Sequence, residues 1–499
     1  MRSNRIRSIS PRDALLVLLG AACMHIFSLF FSSFSSSSNI IFNTQLSSPV
    51  HDNPFYNIIH DPPIPPSEKT ADSAAAVVPA PPSAPFQLTT KIDIDNAIPE
   101  TIMVSHAPGW TIFRNLYVSG GTLFIVTSKP HTFPDIALMT STGLPAQNTP
   151  ESIQARMPTA QDMSFISPEE ARRRWAGETL LGQKNRIFPV EGATFLFNDP
   201  NQFLNHYYHF CAELLFGAWA FWMGSFRAQV DTHGVHDAPP VARMIFAHAT
   251  AAEWRDGPGF NAYFLRAAFP SVTVETQHDW IDRATITPKS PHAERAWWFD
   301  RVLLADRSAA FRGEECGSRT QRTASEPMAA VDVPRGWWEP VRRNVLRFAG
   351  VDEGTLDIGV RADVRKEGGR VQEEVVVTYV SRQGVRRHLV EEDHEGLVSA
   401  LEEVLIGVHG NGLTHLIMMP ITPVSTVIEI FFPGGFAHDY EWTARARGMK
   451  HFSVWNDTSH THPDAQWPNY PEGFQLTQIP VHGPYVAKLV EDRVDGRLP

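Results

Sequence analysis

The chain predicts an α/β protein of two domains behind an N-terminal membrane extension. Three observations predict it. A length of 499 residues exceeds what one core ordinarily fills. From about residue 91, short β-rich runs alternate with helix-length segments. Several of those runs end in glycine- or arginine-rich turns, where open parallel sheets hold ligands. With 43% hydrophobic and 19% charged residues, the body has a globular composition. The formal net charge of −11, with no compensating basic block, argues against a nucleic-acid partner. Three cysteines are too few for a disulfide framework; Cys211 and Cys316 form either one bridge or two buried thiols.

Residues 1–13 carry Arg2, Arg5, Arg7 and Arg12, and residues 14–31 have no charged side chain. That run has the length of a short membrane span, which Phe34 would extend, and its basic flank places the N-terminus in the cytoplasm. It is long for a signal peptide and no small-x-small cleavage site follows. Residues 1–13 therefore read as a cytoplasmic tail and 14–34 as a transmembrane anchor of type II orientation. Residues 35–90, with "DPPIPPSEK" and "VVPAPPSAP", read as a disordered Ser/Pro-rich stem. A body at 91–499 would then be lumenal, which the sequon at Asn456 permits.

A first α/β domain is expected over residues 91–330. Residues 121–127, 193–198, 243–249 and 301–306 read as strands, and 209–226 and 259–270 as helices. This alternation implies a parallel sheet. Residues 314–334 are polar and turn-rich, as expected near a domain junction. A second domain is expected over 331–480. It comprises a helix at 337–350, a β-rich run at 373–382, a helix at 391–403, a strand at 404–408 and another at 425–432. Residues 481–499 read as a tail.

Four constellations can carry chemistry. "HGNGLTH" follows a strand, so its glycines permit a tight turn, and His409, Gly410, Asn411, Gly412 and Thr414 could meet an anion. The ordinary alternative is a glycine turn with a satisfied histidine. Arg382, Arg386 and Arg387 lie beyond the preceding strand and suit bidentate phosphate binding, or form a solvated basic turn. His206, Tyr207, Tyr208, His209 and Glu213 sit at a helix start. His209 and Glu213, four apart, share a face and could supply a general base, or a buried His–Glu hydrogen bond. Glu429 is alone in an apolar strand, a costly position unless it is paired or accepts from a ribose. His438 and Asp439 follow the next turn and could reach the same cleft.

Together these stretches resemble glycosyltransferase family 61, especially its fungal members. The matching segments include "NHYYHFCAELLFG", "TYVSRQGVRRHLVEEDHEGLVSALEE", "GVHGNGLTHL" and "VIEIFFPGGFAHDYEW", in order, over much of residues 193–457. The resemblance implies a GT-B fold, two facing Rossmann-like domains with the donor on the C-terminal one. It also implies inverting transfer of xylose or N-acetylglucosamine from a UDP-sugar to a glycan or glycoprotein acceptor, in the Golgi or ER membrane. By matched position, His409, Gly410, Gly412, Arg382, Arg386 and Arg387 would serve the donor phosphates and Glu429 the ribose. Tyr207, Tyr208, His209 and Glu213 would serve the acceptor side. His206 and Glu213 stand where many members have Asn and Asp. No cofactor is required beyond the UDP-sugar co-substrate; without a DxD pair near the proposed donor site, divalent-metal dependence stays open.

One join departs from that pattern. Family members carry another α/β segment before the "GVHGNG" turn, whereas here Glu403 meets Val404 directly. Roughly 30 residues, one βαβ unit's worth, would be missing. Two other functions remain in view: a non-catalytic binding protein of this fold or an inactive truncated variant, and a lumenal metal-dependent hydrolase using His206, His209 and Glu213.

Overall fold

Two sheets with helices packed on them make the body a mixed α/β structure. The computed structural model describes residues 98–498 except 177–185, 232–233, 288–293, 357–377, 385–386, 401–404, 465 and 475–477. The expected cytoplasmic tail, anchor and stem lie outside the described residues, as do Arg386 and the Glu403–Val404 join. No helix among the described residues is long and apolar enough to cross a membrane.

The first sheet has eight strands: β1 (Ile102–Ala107), β2 (Trp110–Ser119), β3 (Thr122–Val126), β4 (Met163–Ile166), β5 (Ile187–Pro200), β8 (Val241–His248), β9 (Thr273–Glu275) and β10 (Ala296–Ala305). A small separate ribbon pairs β6 (Gln229–Asp231) with β7 (Gly234–His236). The order β4-β3-β2-β10-β5-β8-β9, with β1 beside β2, makes the sheet mixed. Strands β10, β5, β8 and β9 are parallel neighbours, whereas β2 is antiparallel to β1, β3 and β10. The expected parallel sheet is found at β5, β8, β9 and β10 and is corrected at β2, which pairs antiparallel with all its neighbours. β2 is buried at eight of its ten positions, so it lacks the alternation of a half-exposed antiparallel strand. Its turn into β3 is the two-residue Gly120-Gly121 loop, both at positive φ, a typical hairpin connection.

The second sheet runs β11 (Tyr379–Val380), β12 (Leu405–Val408), β13 (Thr426–Ile430), β14 (Lys450–Trp455) and β15 (Thr458–His460). The first four are parallel and β15 is an antiparallel edge. Helix Glu391–Ala400 precedes β12, and residues 401–404 between them lie outside the described residues.

Residues 481–499, expected as a tail, contain helix Gly483–Val494. Val486, Leu489, Val490 and Arg493 recur at helical spacing and are buried, the first three in the second sheet's core. The tail reading failed because this short amphipathic pattern has its partner on helix Glu391–Ala400, far away in sequence.

Helix Phe216–Ser225 is buried from Phe216 to Gly224, as an all-round apolar helix must be. Each large side chain it hides, Phe216, Phe221 and Trp222 among them, contributes about 1.5–3 kcal/mol. The same core continues through Trp337 and Trp338 to Leu413, Val427 and Trp442 of the second half. Helix Glu339–Phe348 lies across the joint. Trp338 stacks on Phe264 and donates its indole N–H to the Ile417 carbonyl at 2.9 Å. The two halves therefore share one apolar core.

Candidate functional site

Beyond β5 the chain turns through Asn201–Phe203 and enters Tyr208–Leu215, a helical segment wound in wide i→i+5 turns. Such turns are rare and concentrate at functional sites. His209 Nδ1 lies 2.7 Å from Glu213 Oε2, and Glu213 Oε1 accepts from the Thr323 N–H at 3.1 Å. Arg307 Nη2 is 3.5 Å from the same Oε2. Burial alone would raise the Glu213 carboxyl, but Arg307, the His209 hydrogen bond and charge, and Arg322 together hold it below the usual carboxylate range. An ionised carboxylate only accepts, so His209 Nδ1 carries the proton in this hydrogen bond. The His209 side chain is 23% exposed and that of Glu213 4%. The open member of the pair is the imidazole. The ring of His206 lies 4.8 Å from that of His209, and burial, followed by the His209 charge, lowers His206 to about 4.

The glycine turn after β12 faces this helix. Gly410 has φ +149°, and a Cβ there would lie 2.2 Å from Arg382 Nη1. A Cβ on Gly412 would lie 2.7 Å from Val380 Cγ1. The two glycines thus let β11 and Arg382 fold down on the turn, rather than opening the turn to a ligand. Asn411 does something the sequence did not suggest. Its Oδ1 accepts the Tyr208 N–H at 3.0 Å, satisfying a helix-start donor across the joint. Tyr208 Oη donates to the Asp439 carbonyl at 2.7 Å, Thr414 is fully buried, and Tyr207 packs on Phe260 and His415. Asn411, Tyr207 and Tyr208 therefore bind the halves together, while Thr414 is buried and donates to Asn411 Oδ1 at 3.4 Å within its own half. The expected ligand-facing roles of these four are corrected, because each group is buried or engaged within the protein.

Glu429 is corrected in the same way. It is 0% exposed, and its two oxygens bond His409 Nδ1 and, at 2.8 Å, His451 Nε2, so neither is open to a ribose. Burial raises this carboxyl well above its usual range, against an opposing effect of Arg387. Burial also drives His409 down to about 3 and His451 to about 4. The arrangement that leaves no net buried charge has a protonated Glu429 donating to His409 Nδ1 and accepting from His451 Nε2–H. His409 Nε2 then carries a proton it can donate.

Around His409 the charge is positive. Arg387, Arg382 and Arg322 all depress its imidazole, while Asp439 opposes them. Arg382 Nε donates to the Arg387 carbonyl at 3.3 Å. Arg322, from the polar stretch expected only as a junction, reaches across and pairs with Asp439. Asp439 opens helix Asp439–Arg447, and His438 before it lies 3.2 Å from Glu441. His206, His209 and Glu213 from one half thus meet His409, Arg382, Arg387 and Asp439 from the other, with Arg322 between them.

Asn456 is exposed in the turn between β14 and β15 at φ +51°, an accessible place for a sequon. Cys211 and Cys316 are both buried free thiols. Among the described residues no group of three or more His, Cys, Asp or Glu side chains is placed to hold a metal ion.

Sequence reasoning missed Arg322, Arg307, Asp199 and His451. Asp199 ends β5 and Arg307 follows β10, so the rule placing ligands beyond carboxyl ends of parallel strands could have found both. Arg322 carries no such local signal. No protein-family model matches the chain, and no curated protein matches it either, so the functional reading rests on this geometry and on the motif resemblance.

Proposed function

We propose that the chain is an inverting glycosyltransferase of the family 61 type, moving xylose or N-acetylglucosamine from a UDP-sugar to a glycan or glycoprotein acceptor. On this reading the halves are the two Rossmann-like domains of a GT-B fold, anchored in the Golgi or ER membrane with the body lumenal. The observation that carries it is the meeting of an oriented base and a cluster of cations at the joint. His209 Nε2 takes the acceptor hydroxyl proton while Glu213, buried and ionised, holds the ring and stabilises the imidazolium. The acceptor oxygen attacks the anomeric carbon, the bond to the UDP oxygen breaks, and its electron pair leaves with UDP. Arg382, Arg387 and His409 Nε2–H meet the charge that develops there, as preorganised donors do. Arg386 belongs to the same motif.

Release of UDP from a panel of UDP-sugars by the purified full-length chain tests this, run with EDTA and with added divalent cations. UDP release with matching sugar transfer is expected. A folded protein that releases none from any donor would be a binding protein instead. Gly410→Ala would push Arg382 off the turn and remove a charge-assisted contact of about 1.5–3 kcal/mol. UDP affinity, measured by calorimetry, should fall by about tenfold or more.

A further inference from the structure

A cavity of about 540 Å³ opens beyond the carboxyl ends of β5 and β10. Its volume falls within the range of small-molecule sites, roughly 300–1,000 Å³. The four arginines of its lining build the wall. Arg307 lies between Asp199 and Glu213, and Arg322 pairs with Asp439. Arg156 donates to the Ser152 and Gln147 carbonyls and to Ser308 Oγ, and Arg312 to the Ala137, Thr140 and Arg156 carbonyls. Each is held by protein acceptors, so recognition falls to the other side chains.

Two apolar groups stand open in the cavity. Phe311, just after helix Arg307–Ala310, is 46% exposed, and Ile153, on helix Pro150–Ala155, is 51% exposed. Apolar side chains left uncovered in a concave, polar-rimmed place mark a ligand site, unlike single ones scattered over a convex surface. Asn148 and Gln321 belong to the same lining. Both are exposed, and their side-chain amides make no hydrogen bond among the described residues. A neutral amide both donates and accepts, as a sugar hydroxyl does. An open ring beside such amides suits a pyranose, whose C–H face is apolar and whose rim is hydroxylated.

Position supplies a second argument. Phe203 also lines the cavity, and its ring lies 5.1 Å from the Arg307 guanidinium and 5.1 Å from the His209 ring. The cavity and the base share that ring as a wall. We propose that the cavity holds a neutral sugar unit of the acceptor, next to the unit whose hydroxyl meets His209. The acceptor is then a glycan that already carries sugars, not an unmodified polypeptide. This assignment rests on the transferase reading above.

Calorimetric titration of the full-length chain with xylobiose, mannobiose and cellobiose, against inorganic phosphate and a Ser/Thr peptide, tests the proposal without any turnover. At least one disaccharide should bind about tenfold more tightly than phosphate or the peptide. Phe311→Ala should weaken that disaccharide by about tenfold, and Phe311→Tyr, which keeps the ring, should retain it. A urea titration checks the fold of Phe311→Ala. Asn148→Ala, which has no partner to lose, is the second arm and should weaken the disaccharide by about threefold or more. No disaccharide binding above that of the peptide, or binding that ignores both alanine variants, overturns the proposal. Phosphate binding more tightly than every disaccharide would make the cavity an anion site and also overturn it. Sugar transfer without disaccharide binding would sink this inference alone; disaccharide binding without transfer would sink only the transferase reading.

Discussion

Replacing His209 with alanine should lower kcat by about 10²–10⁴-fold, the usual contribution of a positioned general base. Its side chain is 23% exposed, so the fold should survive and the KM for the UDP-sugar should change little. Glu213→Gln should reach a similar loss by another route. An amide can donate to His209 Nδ1, which favours the tautomer with the proton on Nε2 and removes the lone pair that accepts the acceptor proton. The two variants should differ in stability. Glu213→Gln also removes a carboxylate 3.5 Å from buried Arg307, so it should unfold at lower denaturant than His209→Ala. Steady-state kinetics with urea titration checks both. Full activity in His209→Ala would remove the proposed base.

Asp439→Ala should cost about 3–5 kcal/mol of unfolding free energy, because it strands the Arg322 guanidinium inside the joint. Arg322→Met should also destabilise, since Asp439 would lose its partner. The double variant should be less unstable than the sum of the two, the signature of direct coupling. Urea titrations of all four proteins supply the cycle. A cost below about 1 kcal/mol for either single change would mean that the pair behaves as a solvent-exposed bridge.

Much of the scaffold could be read directly from residue order. The strands near residues 193–198, 243–249, 301–306 and 425–432 and the helices near 209–226, 259–270 and 337–350 are continuous apolar runs or helical repeats. Their hydrophobic pattern is local. The mixed half of the first sheet was not legible, because β2 is buried on both faces and looks like a parallel strand. The terminal helix was not legible either, since the surface that buries Val486 and Leu489 comes from a helix nearly 100 residues earlier.

The site divides along the same line. Sequence pattern singled out His209, Glu213, His409, Arg382 and Arg387, because each sits in a compact run of chemically capable residues next to a strand or helix end. It could not say which groups are already engaged. Asn411 is used by Tyr208, 203 positions away, and Glu429 by His409 and His451. Arg322 finds Asp439 at a separation of 117, and Glu213 finds the Thr323 amide at 110. Residue order by itself therefore determined the α/β class, most element types and a list of candidates, since periodicity and spacing act over a few turns of chain. Tertiary structure alone decided that His209 is the open group and Glu213 its support, and that Arg307 lies buried between Asp199 and Glu213. Those facts depend on hydrogen-bond partners more than a hundred residues away, which only the folded chain brings within reach.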